Sequence, residues 1–141
     1  MALGIDIKRP TIVYDVAELV RISVNNGQPN ILAPEKLDEK TWYILAFKDG
    51  KVVGGIGSIL YGHDSHHANR AAEIDILAVE KPFREQGLED LLLKRMLEDL
   101  AALKIGTIRA IVEDDEIELY FRNGFRHDPR DLNYMVHDLR Y

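Results

Sequence analysis

The chain's 141 residues are 46% apolar and 30% charged, which excludes wholesale disorder and suits a single domain, 1–141, with an ordinary core. Acids outnumber bases 24 to 18, and the net charge of −6 argues against a nonspecific nucleic-acid binder. No apolar run approaches the roughly 18–20 residues that cross a bilayer, and the lack of cysteine removes disulfides, thiolate nucleophiles and thiolate metal sites. The N-terminus carries no long apolar signal core, so a cytoplasmic protein that avoids membranes is the expectation.

Residues 3–8 alternate weakly and predict a first strand. Asp15 stands where a helix could be capped, with Glu18 three residues on as its capping-box partner. Val16, Leu19, Val20 and Val24 supply that helix's apolar face, and Asn25, Asn26, Gly27 and Pro29 end it. Pro34 to Lys40 reads as a helical turn or two. Thr41–Phe47 is apolar on both faces and predicts a covered strand, followed by the hairpin signal Asp49-Gly50 and a return strand from Val52 to Tyr61. Gly54, Gly55 and Gly57 in that strand point to a bulge or a close neighbour. They are no dinucleotide fingerprint, because no helix follows.

After a polar loop over residues 62–71, Ala72–Val79 predicts a strand, with Ile74, Ile76 and Ala78 on one side and Glu73, Asp75, Leu77 and Val79 on the other. Gly87 opens a helix that runs to Lys104 before Gly106, burying Leu88, Leu91, Leu92, Met96, Leu97, Leu100 and Leu103. Asp90–Lys94 and Arg95–Asp99 are spaced to pair on its outside. Thr107–Val112 is a further strand, Glu116–Asn123 a short helix stopped by Gly124, and Phe125–His127 and Tyr134–Leu139 the last strands. Hairpins early and βαβ-like units late predict a mixed α/β sheet with helices on both faces.

The stretch from Leu77 to Leu88 ends a strand, passes an arginine and a glycine, and starts a helix. Free N–H groups and the positive dipole end make such a helix start a phosphate site. The same pattern also serves as an ordinary strand-to-helix connection with glycine for the tight turn. Glu73 and Asp75 read either as a solvated strand face or as a base beside a reacting group, and Tyr120 either as core or as a proton donor. Glu113 to Glu118 holds five acids in six positions, which suits a helix start or an acidic rim that attracts a cationic amine. His63, His66 and His67 share a loop whose spacing fixes no metal geometry, so no metal is expected.

Val79-x-x-Pro82-Phe83-Arg84-x-x-Gly87-Leu88 resembles the acetyl-CoA loop of the GNAT acetyltransferases. In that signature a strand ending in Leu-x-Val leads through Pro, an aromatic and Arg-x-x-Gly-x-Gly/Ala into an apolar helix. Leu119-Tyr120-Phe121-Arg122-Asn123-Gly124-Phe125 resembles the family's Leu-Tyr-x-x-x-Gly-Phe, and Tyr134–Leu139 is similar to its last strand. The resemblance implies a mixed, mainly antiparallel central sheet of about six to seven strands with helices on both faces.

It also implies transfer of an acetyl group from acetyl-CoA to a primary amine of a small molecule or peptide. Leu77, Ala78 and Val79 would hold the pantetheine arm, and Arg84, Glu85, Gln86, Gly87, Leu88 and Glu89 the pyrophosphate. Glu73 takes the family's general-base position and Tyr120 that of the donor to the leaving thiolate. No metal is required, and a homodimer stays open. The family usually has Gly or Ala where Glu89 stands and commonly Gly where Glu85 stands. Its frequent Asn after the fifth strand is replaced by Glu113-Asp114-Asp115-Glu116. These carboxylates support the alternative of a non-catalytic GNAT-like regulatory or protein-binding domain. In the acetyltransferase reading Glu89 is expected to weaken CoA binding without abolishing it, swinging outward from the first helical turn and leaving the backbone N–H groups to the phosphates.

Overall fold

The structure, a computed structural model, describes residues 4–28, 34, 36–62 and 70–139. Its strands are β1 (Ile5–Lys8), β2 (Thr41–Lys48), β3 (Lys51–Tyr61), β4 (Ala71–Val79), β5 (Thr107–Ile111), β6 (Arg126–Asp128) and β7 (Asp131–Asp138). The helices are α1 (Val13–Asn25), α2 (Leu88–Ala102) and α3 (Ile117–Arg122), with 3₁₀ turns at Lys81–Phe83 and Asp114–Glu116. Residues 36–40 form bends and turns, not helix, and the histidines at 63, 66 and 67 lie outside the described residues.

The seven strands make one sheet in the order β1-β2-β3-β4-β5-β7-β6. Every neighbouring pair is antiparallel except β4 with β5. Asp49 and Gly50 both take positive φ, the paired left-handed geometry of a two-residue hairpin turn, and they fix the β2–β3 register. One face of the sheet packs on α1 through Val16, Leu19 and Ile22 against Tyr43, Leu45, Phe47, Val52, Ile76 and Ala78. The other packs on α2 and on Leu119 and Tyr120 of α3. No helix among the described residues is long and apolar enough to cross a membrane.

Some local expectations change. Helix α1 starts at Val13 with Ile12 at the cap, so Asp15 lies inside the first turn, where the dipole favours it, and caps nothing. Glu18 instead pairs with Arg21 at 2.9 Å. Val24 and Leu91 are exposed, because Ile22 with Ser23 and Leu92 with Leu93 take the inward positions one residue round each helix. Arg95 does pair with Asp99, at 3.0 Å, whereas Asp90 turns from Lys94 to a bidentate contact with Arg122.

The largest change is in β4. Its register against β3 slips between Gly57 and Ser58: Gly57 faces Ile76 and Ser58 faces Ile74, so Asp75 is the extra residue of a bulge. One extra residue inverts a period-2 pattern. Ile74 therefore joins the core under α2 with Leu77 and Val79, while Ile76 and Ala78 join the core under α1. The expectation that Ile74, Ile76 and Ala78 share a face fails for that reason.

The β3 glycines have both anticipated uses. The bulge lies at Gly57, and a Cβ there would meet the Tyr43 ring at 2.5 Å and Ile76 Cγ2 at 2.8 Å. Gly57→Ala should therefore destabilise the protein by about 1–3 kcal/mol through overpacking, read as a lower urea midpoint with unchanged slope.

Candidate active site

Strand β4 pairs with β5 only from Ala71 to Ile74, opposite Thr107 to Ala110. Beyond the Asp75 bulge the two strands part, and the edge of β4 from Asp75 to Val79 faces a groove. Two connected cavities fill this gap. The inner one, about 240 Å³, is lined by Glu73, Asp75 and Leu77 of β4, Ile111, the carboxylates Glu113 and Glu116, and Tyr120, with Ser23 and Gln28 from the end of α1. The outer one, about 330 Å³, runs past Ala78 and Val79 to Arg84 and Glu89 and shares Leu77, Gln28, Glu113 and Glu116 with the first.

The open edge of β4 is met by side chains. Gln28 Nε2 donates to the Leu77 carbonyl at 3.1 Å and Asn26 Nδ2 to the Val79 carbonyl at 3.0 Å, which Arg84 Nε also reaches at 3.1 Å. In an antiparallel strand the N–H and C=O of one residue project to the same edge. The N–H groups of Leu77 and Val79 therefore point into the groove as well. Sequence reasoning missed Ser23, Asn26 and Gln28. The available signal was Ser23, a polar residue in the apolar stripe of Val16, Leu19 and Ile22.

At the outer end Gly87 caps α2 in the left-handed region, with φ of 82°. The first intrahelical bond runs from Leu91 N to Gly87 O, so the N–H groups of Leu88, Glu89 and Asp90 have no acceptor within the helix. Glu85 also takes positive φ, 63°, a conformation that glycine adopts without strain. Glu89 does not swing outward: it is half-buried against the groove. Desolvation raises its pKa, opposed by Arg84 and aided by Asp90. Asp90 itself is held low by Arg122, with Nε at 3.0 Å, and by Asn123 at 3.0 Å, which ties the start of α2 to the end of α3. The 3₁₀ turn after β5 adds Glu116, whose pKa burial raises although the Glu113 N–H donates to it at 3.1 Å.

The structure separates the two carboxylates of β4. Glu73 accepts from the Tyr61 hydroxyl at 3.3 Å on the exposed side. Asp75 sits deeper, and burial first, then Glu73, pushes its carboxyl up to about 6 against the pull of its own backbone N–H. Tyr120 is 2% exposed and packs edge-on against Phe125 at 5.1 Å. Burial, with Glu116 and Glu89 nearby, drives its phenol well above the ordinary value and keeps it protonated. Among the described residues no group of three His, Asp or Glu side chains is placed to hold a metal ion.

A groove between a parting parallel strand pair, entered past a glycine-started helix, is the arrangement that the sequence motifs lead to. The family model described as "Acetyltransferase (GNAT) family" matches residues 14–125. The chain belongs to the GNAT acetyltransferase family. Among curated proteins nothing matches the sequence. Solved structures share the GNAT fold. Ard1 from Thermoplasma volcanium superposes with a TM-score of 0.76 at 18% identity, covering 98% of this chain and 99% of that one. The PaiA N-acetyltransferase of Thermoplasma acidophilum, in complex with coenzyme A, gives 0.72 at 16% identity over 96% and 99%. An aminoglycoside acetyltransferase from an uncultured soil metagenomic sample, in complex with sisomicin, gives 0.66 at 17% over 85% and 86%.

In this GNAT chain the half-buried Asp75 carboxylate opposes folding. Its folded pKa lies above the ordinary carboxylate value, so the protein loses stability as pH rises from about 4 through about 6. Asp75→Asn should raise the melting temperature at pH 7–8, and the gain over wild type should shrink as pH falls towards 4 in thermal scans.

Proposed function

We propose that this chain is an N-acetyltransferase that moves the acetyl group of acetyl-CoA to a primary amine of a small molecule or peptide. The observation that carries this reading is the meeting of Asp75, Tyr120 and the open edge of β4 in one cavity. The family and the neighbours crystallised with coenzyme A and sisomicin support it.

The groove suits the cosubstrate in parts. Leu77 and Val79 offer strand-like backbone groups to the amides of a pantetheine arm, alongside Ala78. The N–H groups at the start of α2 and Arg84 suit the pyrophosphate, with Glu85, Gln86, Gly87 and Leu88 shaping the turn. Glu89, Glu113, Asp115 and Glu116 line the same groove and repel phosphate.

The acceptor arrives as an ammonium ion, since an alkylamine has a pKa near 10.4. Four carboxylates, Glu73, Asp75, Glu113 and Glu116, draw it into the inner cavity. Asp75, with a pKa of about 6, is ionised at neutral pH and takes one proton; this role passes to it from Glu73, which is the more exposed and is bound to Tyr61. The nitrogen attacks the thioester carbonyl carbon and forms the C–N bond. A β4 N–H, of Leu77 or Val79, meets the oxyanion. Collapse breaks the C–S bond, and the second amine proton passes to the leaving sulfur, which departs as the thiol. A buried tyrosine is a weaker acid than a thiol, whose ordinary pKa is about 8.5. Tyr120 therefore serves the leaving sulfur as a hydrogen-bond donor through which the proton passes.

Two measurements test this. In calorimetric titration wild type should bind acetyl-CoA, and Glu89→Gln should bind it about tenfold more tightly if the relief is about 1.4 kcal/mol, a gap that added salt narrows. No binding at millimolar concentration would leave the non-catalytic domain as the reading. In thiol-release assays kcat should climb with pH up to about 6 and then level, and Asp75→Asn should abolish that limb and cost about 10²–10⁴-fold. Tyr120→Phe should lower kcat by about tenfold to a hundredfold with little change in acetyl-CoA affinity.

A further inference from the structure

The acyl-transfer reading above leaves open what holds the acceptor nitrogen, and the following inference rests on that reading. Among the described residues, the buried side-chain oxygens without a hydrogen-bond partner are Ser23 Oγ, Gln28 Oε1 and Asp75 Oδ1. All three residues line the inner cavity. The remaining unpartnered buried polar atoms are nitrogens of Arg9, Arg70, Arg109 and His137, none of which lines it. Folded proteins rarely leave buried acceptors unpaired, and three such acceptors on residues lining one cavity mark a place for a donor.

The backbone presents these oxygens firmly. Helix α1 ends with Gly27 at φ of 77°; Gly27 N donates to Val24 O at 2.9 Å and Gln28 N to Ser23 O at 3.1 Å. This double closure of a helix end locks Gln28 beside Ser23. The Gln28 amide has one workable orientation. Its Nε2 is bound to the Leu77 carbonyl at 3.1 Å, and turning the amide over would set Oε1 against that carbonyl oxygen. Ser23 is 1% exposed, and the β4 bulge brings Asp75 to the same space.

We propose that Ser23 Oγ, Gln28 Oε1 and Asp75 Oδ1 form a three-oxygen cradle for a primary ammonium group, with Ser23 and Gln28 as positioning residues that select primary over secondary amines. A primary ammonium has three N–H donors, one for each oxygen. A secondary ammonium has two donors and turns an alkyl group at the third oxygen, which stays unpaired. Asp75 removes one proton for the reaction, while Gln28 and Ser23 hold the nitrogen in reach of the thioester. A site built to hydrogen-bond a group rejects the analogue that lacks it.

The test compares butylamine with N-methylbutylamine in acetyl-CoA-dependent thiol release, using wild type, Gln28→Met and Ser23→Ala, with melting temperature and acetyl-CoA KM measured for each. Wild type should favour butylamine by about a hundredfold in kcat/KM, and each variant should lose about tenfold or more on butylamine and little on the methylated amine. The ratio between the two amines then falls. A structural defect would lower both rates together and keep the ratio. An unchanged ratio in both variants, or a wild type that accepts both amines equally, overturns the cradle while the acyl-transfer reading stands. Absence of thiol release with butylamine and with other primary amines overturns both.

Discussion

The geometry of this protein turns on the loss of strand pairing at Ile74. Backbone N–H and C=O groups inside a fold must find partners. Between Asp75 and Val79 strand β4 keeps its β3 neighbour and parts from β5. The bulge at Asp75 is what turns the chain, and the small residues of β3 let it happen: Gly57 leaves room for the Tyr43 ring where any Cβ would collide. Everything near the site answers the exposed edge that results. Asn26, Gln28 and Arg84 donate to its carbonyls, α1 ends where those amides can reach, and the 3₁₀ turn of Asp114–Glu116 closes the far wall.

Electrostatics gives the groove a divided character. Its inner half collects Glu73, Asp75, Glu113 and Glu116, and its outer half sets Arg84 among Glu89, Asp115 and the shared acids. Such a field attracts cations and opposes phosphates, with a strength that depends on salt. Asp75 is the clearest instance of a fold holding a group where stability alone would not place it. A half-buried carboxylate with a raised pKa weakens the native state. The charges that stay outside the groove are handled differently. Asp90 is bound by Arg122 and Asn123, which stiffens the joint between α2 and α3.

Local chemistry in the sequence was sufficient for the architecture. The Asp49-Gly50 turn, the Leu88, Leu92, Met96, Leu100 stripe and the Gly27 helix end each act over a few residues, and each appears in the structure where the pattern puts it. Of the two readings left open for Tyr120, the structure shows it buried, packed edge-on against Phe125, while it also lines the inner cavity. Where the reading failed, a long-range contact had intervened. Asp90 chose Arg122, 32 residues away, over Lys94 on its own helix. Glu89 lies against the groove because the helix is rotated to bury Leu88 and Leu92.

The sequence by itself determined the sheet with helices on both faces, the glycine-started helix beside Arg84, and the family to which these motifs belong. Periodicity and turn residues encode those features within short windows. Only the tertiary structure decided that Asp75 is a carboxylate whose pKa burial raises, since a bulge in β4 exists only through its register with β3. It alone brought Ser23 and Gln28 to the same cavity as Asp75 and Tyr120, residues about fifty to a hundred positions apart in the chain. Spacing along a strand says which side chains alternate, and it carries no information on where pairing across strands slips by one residue.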